Sequence, residues 1–244
     1  MDPHSEPRFA NTRWSLVAAL HGDGGGGGER ARAPLLELCL HNWYPVYSYL
    51  RRCGHPPEVA QAMSQEFFDQ LLQSAAQERR TAPRYGRFRE FLLAELHHFL
   101  ARARIPASDA APGSPMALEA LEARLRGDRR RAGSPEEALR RGFALGVIGD
   151  ALSRLREEAR HADRLRLFEA LEPYLTGEPA PGELDRLGVE LSARPLFLVL
   201  AVRRLRERFR ELVDDTLGDT VLNTAELAAE RQALLDALDG DRGG

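Results

Sequence analysis

Two Cys-x-His pairs, Cys39-Leu40-His41 and Cys53-Gly54-His55, supply the sulfur and nitrogen ligands that a tetrahedral zinc needs. Their separation matches none of the usual finger spacings. Cys39 also falls on an apolar stripe, where a free thiol behaves as a small hydrophobe, so no metal is expected. Glu95-Leu96-His97-His98 offers a second ligand set, but adjacent histidines on a helix point about a hundred degrees apart, which suits a solvated face better than one shared ion. The serines lack a flanking glycine elbow, and the local sequence sets no serine in a nucleophile arrangement with His and Asp. All 34 basic residues are arginine. The absence of lysine excludes a P-loop, a Schiff base and a Ser-Lys dyad. An enzyme is therefore not expected, and nothing here asks for a cofactor.

What remains is arginine chemistry, planar forks suited to phosphate and carboxylate. It concentrates in two places. One is the loop Glu78-Arg79-Arg80-Thr81-Ala82-Pro83-Arg84-Tyr85-Gly86-Arg87, whose arginines and exposable tyrosine suit contact with an anion. The other is Arg203-Arg204-Leu205-Arg206-Glu207-Arg208-Phe209-Arg210-Glu211-Leu212, where Glu207 and Glu211 can equally pair with neighbours on a solvated face.

The elements that hold these groups read as helices. Val59, Met63, Phe67 and Leu71 recur every four residues from Pro57 to Ser74, with Phe68 and Leu72 widening the stripe to a core-facing arc. Phe88, Phe91, Leu92, Leu96, Phe99 and Leu100 repeat the pattern from Arg87 to Ala103. Thr12 caps a helix with Trp14 and Val17 inward. A helix from about Pro34 to Trp43 sets Leu35, Leu36, Cys39 and Leu40 on one side; Pro45 restarts it and Gly54 ends it. Gly24 to Gly28 reads as a flexible connector.

After Arg104 the run Ile105-Pro106-Ala107-Ser108-Asp109-Ala110-Ala111-Pro112-Gly113-Ser114-Pro115 has little to bury and reads as a linker, followed by a short helix from Met116 to Arg126. Ser134-Pro135-Glu136-Glu137 combines a capping serine, a first-turn proline and a capping-box glutamate ahead of a long helix to about Arg160. Its glycines, Gly142, Gly146 and Gly149, point to a kink or to close approach of another helix. Helices then follow over Asp163 to Leu171, Pro181 to Leu187, Ala193 to Val213 and Thr224 to Leu238. No stretch alternates with period two, so the fold class is all-α.

Gly182 to Val213 has the outline of a helix-turn-helix. Its second helix opens with Leu196-Phe197-Leu198-Val199-Leu200, where a reader of base edges carries polar side chains. That run, with Leu196, Phe197, Leu198 and Leu200 foremost, suits a protein surface instead.

At 244 residues and 43% hydrophobic, the chain can bury one large or two small cores. A net charge of −3 exerts no global pull toward nucleic acid. With no apolar stretch of membrane length and no signal-peptide core, no membrane contact and a cytoplasmic location are expected.

In order along the chain, Thr12-Arg13-Trp14-Ser15-Leu16-Val17, Trp43-Tyr44-Pro45-Val46-Tyr47, Gly54-His55-Pro56-Pro57-Glu58, Gln65-Glu66-Phe67-Phe68 with Leu71-Leu72, Gly86-Arg87-Phe88-Arg89 with Phe91-Leu92-Leu93, and Arg203 to Leu212 resemble the extracytoplasmic-function sigma factors of bacterial RNA polymerase. The resemblance implies two small helical domains joined by a flexible linker. A sigma domain two-like bundle would span residues 9–104 and a sigma domain four-like helix-turn-helix residues 134–215, with a linker over 105–133 and an acidic helical tail over 216–244. It implies that Gln65, Glu66, Phe67 and Phe68 dock on the polymerase core, and that the loop from Arg79 to Arg87 reads the melted promoter. Arg84, Arg87 and Arg89 would lie near the single strand, Tyr85 would stack on a base, and Arg203, Arg204 and Arg206 would approach the upstream element. An anti-sigma or other regulatory protein is the kind of partner that such a factor keeps. Val59 and Ala62 stand where the family usually carries acidic residues, and the turn of the second domain aligns only with a gap. The apolar opening of the second helix supports a different expectation, a sigma-derived adaptor that has lost promoter recognition and grips a protein partner.

Overall fold

The computed structural model describes residues 12–19, 28–76, 85–102, 116–128 and 133–239. Among them the structure is all-helical, with one isolated antiparallel bridge between Arg87 and Val221 and no strand. The chain divides into two units. The first takes Met1–Gly146 and Leu217–Gly244, and the second Val147–Thr216.

The first unit is built on α1 (Arg13–Ala19), α2 (Gly28–His41), α3 (Trp43–Arg52), α4 (Pro57–Ala76), α5 (Phe88–Leu100) and α6 (Leu118–Asp128). The start of α7 (Pro135–His161) and all of α11 (Thr224–Asp239) complete it. Its core is aromatic. Trp14 meets Phe88 edge-on at 5.4 Å and Phe91 at 5.1 Å, and Trp43 stacks on Phe68 at 5.2 Å. Pro45 sits in the first turn of α3, where its missing amide has no intrahelical partner to lose. Gly54, at φ 95°, closes the same helix in the left-handed region that glycine enters without strain.

Three expectations shift here. The helix expected from Pro34 begins at Gly28, and it buries Leu35, Leu38 and Cys39 while Leu36 and Leu40 face outward, because 35, 38, 39 and 42 share the inner arc. The residues read as a linker with a short helix are not free of the first unit: α6 buries Leu121 and Leu125 in its core. Glu122 on α6 also accepts from Tyr47 Oη at 2.5 Å and from Arg51 Nε at 2.7 Å, and burial with that carboxylate pushes the Tyr47 phenol up. The acidic tail likewise belongs to this unit, with Leu217, Val221, Leu227 and Leu234 buried and Trp14 N–H donating to Asp219 O at 2.9 Å. Residues 105–115 and 129–132, most of the rest of the expected linker, lie outside the described residues.

The start of α7 follows its sequence signature. Glu137 N–H donates to Ser134 Oγ at 3.1 Å, and Glu137 Oε2 accepts from the amides of Ser134 at 3.0 Å and Gly133 at 2.7 Å, a closed capping box. These amides hold the Glu137 carboxyl below its ordinary range. A depressed folded-state pKa contributes stability that is present above the unfolded value and lost as pH falls through the folded one. Ser134→Ala, which removes only the acceptor for the Glu137 amide, is expected to cost about 1 kcal/mol in a denaturant titration. Glu137→Gln instead gives a deficit that is present at neutral pH and lost as acid protonates the Glu137 carboxylate of the unaltered chain. Gly142 marks a close approach, since a Cβ there would lie 3.0 Å from Pro45 Cα of α3.

The second unit carries the remainder of α7, α8 (Leu165–Leu171) with a 3-10 turn at Glu172–Leu175, α9 (Glu183–Glu190) and α10 (Pro195–Gly218) up to its last turn. Leu171, Leu198 and Val202 form its buried centre, with Leu167, Leu184, Leu187 and Leu191 against them. Gly188 is obligatory in the tight connection from α9 to α10, because a Cβ there would meet Ala193 O at 2.7 Å. Bidentate pairing of Arg208 with Glu158, at 2.6 and 2.9 Å, ties α10 to α7 within this unit and holds the Glu158 carboxyl down.

Candidate functional site

The residues expected to dock on a polymerase do not share one exposure. On α4, Phe67 and Phe68 are each 2% exposed. Phe67 packs edge-on against Phe99 at 5.6 Å and Phe68 stacks on Trp43. The aromatic half of the expected ridge is therefore interior. The helical period explains why: Ala60, Met63, Ser64, Phe67, Phe68 and Leu71 make one continuous buried arc, and side chains inside it cannot reach a partner. The opposite face is polar, with Glu58, Glu66, Asp69, Gln70 and Gln73 exposed. Gln65 Nε2 donates to Asp69 Oδ2 and Gln70 Nε2 to Glu66 Oε1, each at 3.0 Å, so amides and carboxylates form two ordered rungs one turn apart.

Among the residues expected to meet DNA, Arg84 lies outside the described residues, with Arg79 to Pro83 before it. Tyr85 is half-buried and packs against the core, its ring 6.3 Å from that of Phe91. Arg87 and Arg89 are engaged within the chain by carboxylates that sequence reasoning did not single out. Arg89 Nε and Nη2 donate to the two oxygens of Glu230 at 2.9 and 3.0 Å. Arg87 pairs with Glu90, with Glu226 at 3.0 Å and with Glu230 at 3.8 Å. Glu230 is 1% exposed. Desolvation works against the Arg89 charge, and the Glu230 carboxylate outweighs it, leaving the guanidinium pKa raised.

Backbone bonds seal the same junction. Phe88 N–H donates to Thr220 O at 2.8 Å, and Leu222 N–H to Gly86 O at 3.1 Å. A side chain at position 86 would collide with Glu226, 2.5 Å from the site of its Cβ. The spacing of Glu226 and Glu230, one helical turn, was the only local signal that both could serve one neighbouring site.

On α10 the apolar run splits between core and surface. Leu198 is buried at 0% against Leu171, while Leu196 at 71%, Phe197, Val199 and Leu200 face outward, with Val189 of α9 also exposed. Leu198 is thereby removed from the expected docking set, since it points along the inner arc shared with Val202. Arg203 pairs with Glu207 at 3.0 Å along the helix. Arg206 ties down its own unit, donating to Tyr174 O, Gly177 O and Glu178 Oε1, each at 2.8 Å. Arg204 is exposed and pairs with nothing among the described residues.

The Cys-x-His pairs do not converge. Cys39 is buried, with its thiol pushed up by desolvation, and Cys53 is exposed. Among the described residues no three of His, Cys, Asp and Glu are placed to hold an ion. No described helix is long and apolar enough to cross a membrane. Comparison with family models, curated proteins and solved structures finds no match to this chain.

Proposed function

We propose that the chain is a divergent sigma-factor-like transcription protein of the extracytoplasmic-function kind, which binds the core of RNA polymerase through the outward flank of α4. Gln65 and Glu66 carry the contact, with Asp69 and Gln70 beside them. Phe67 and Phe68 serve it from inside by fixing the rotation of the helix. The observation that supports this reading most is the ordered polar face of α4, opposite an aromatic arc that holds the helix rigidly. Promoter contact belongs to the same reading, through Arg84, Tyr85, Arg87 and Arg89 on a single strand. Arg204 is the one of the three expected α10 arginines that pairs with nothing among the described residues, while Arg203 and Arg206 act inside their own unit. Co-purification with core polymerase at low salt tests the proposal, and no association there removes it.

The exposed Leu196, Phe197, Val199 and Leu200 favour a second reading, an adaptor that keeps the scaffold and grips a protein partner through α10. Leu196→Ser with Leu200→Ser is expected to leave thermal stability nearly unchanged, because both side chains already face solvent. Under the adaptor reading the same change abolishes partner capture, and a promoter-length duplex binds neither form. Duplex binding with a steep salt slope argues for the promoter-reading form.

A further inference from the structure

Arg87 and Arg89, which the functional reading assigns to nucleic acid, already hold anions supplied by α11. Glu230 presents its two oxygens to Arg89 as a phosphate would, in a bidentate fork. Glu226 lies against Gly86 and Arg87, covering the backbone as well as the guanidinium. We propose that α11 is an autoinhibitory strap: Glu226 and Glu230 occupy Arg87 and Arg89 in place of the phosphates of single-stranded DNA, and the strand binds there only when α11 lifts away. The proposal rests on the sigma-like reading for the identity of the anion.

Exclusion between strap and strand follows from burial. An arginine that turned to a phosphate while α11 stayed docked would leave Glu230, 1% exposed, as an unpaired interior carboxylate. Displacing the whole helix avoids that state, because Glu230 then reaches water. The helix is suited to lifting. Beside Glu230, its fully buried side chains are Leu227 and Leu234 alone among the described residues of α11, a thin apolar stripe for sixteen residues. Arg141 Nη1 adds one bond to Ala237 O at 3.2 Å.

The test is the affinity of the full chain for a fluorescein-labelled thymidine homopolymer, by anisotropy over a range of salt. Glu226→Gln with Glu230→Gln removes the competing anions, and Leu227→Ala with Leu234→Ala loosens the strap with every charge retained. Both are expected to bind at least about tenfold more tightly than the unaltered chain. The plot of log affinity against log salt should steepen by about 1.4, the contribution of two further single-strand phosphate contacts. Adding Arg87→Ala and Arg89→Ala to the loosened chain should abolish the gain.

Should the substituted chains fail to fold, hydrogen exchange of the unaltered protein gives the answer: amides of α11 exchange faster when the homopolymer saturates the chain. Unchanged affinity and slope in the folded variants overturn the strap. So does a gain that survives loss of both arginines, or an α11 that exchanges no faster with DNA. A chain that shows the gain yet fails to co-purify with polymerase sinks the transcriptional reading and leaves the strap standing.

Discussion

Glu230→Ala is expected to destabilise the first unit by about 3–5 kcal/mol in a denaturant titration, because it strands the partly buried Arg89 guanidinium without its bidentate partner. Replacing both members by apolar groups of similar volume, Arg89→Met with Glu230→Leu, removes charge and countercharge together. The double variant is therefore expected to be close to the unaltered protein in stability, or above it. A loss in the double as large as in the single would show that the pair itself holds α11 in place, rather than the leucines around it. Glu226→Ala, at a more exposed and less paired position, is expected to cost well under half of the Glu230 effect.

The second large effect separates the inside of α4 from its outside. Phe68→Ala empties the space against Trp43 and is expected to cost about 3–5 kcal/mol, with the midpoint of thermal unfolding falling accordingly. Glu66→Arg, two residues away on the exposed face, is expected to change stability by no more than about 0.5 kcal/mol. It reverses the charge of the flank without disturbing the helix. If the account is right, loss of polymerase association in Glu66→Arg occurs in a protein that melts normally, whereas any loss in Phe68→Ala tracks its unfolding.

The helices were legible because their signals are local. The capping box at Ser134 and Glu137, the stop at Gly54 and the arcs through Phe67 and Phe91 each need only a few neighbouring residues. Phe67 and Phe68 carry two sequence signals that compete, a place in a docking motif and a place in the apolar stripe. The structure follows the stripe, since burying a phenyl ring is worth more to folding than presenting it. Leu38 displaced Leu36 and Leu40 from the inner face of α2 because leucines stand on both sides of the helix, and only the arc through 35, 38, 39 and 42 faces the core.

What no local pattern conveyed was the return of residues 217–239 to the first unit. The bridge from Arg87 to Val221 and the pairs of Arg89 with Glu230 and of Arg13 with Asp219 join residues far apart in the chain. An acidic helix after a helix-turn-helix outline reads as a solvated tail, because its carboxylates name no partner. The arginines near position 87 posed the same problem from the other side. Their type announced an anion, and only the fold says that the first one they meet is their own.

The most direct test of the account is a titration of purified core RNA polymerase into the labelled full chain at low salt, with the Glu66→Arg chain run in parallel. Saturable binding by the unaltered chain, lost in Glu66→Arg, is the predicted result. No binding by either, or equal binding by both, contradicts docking through the outer face of α4.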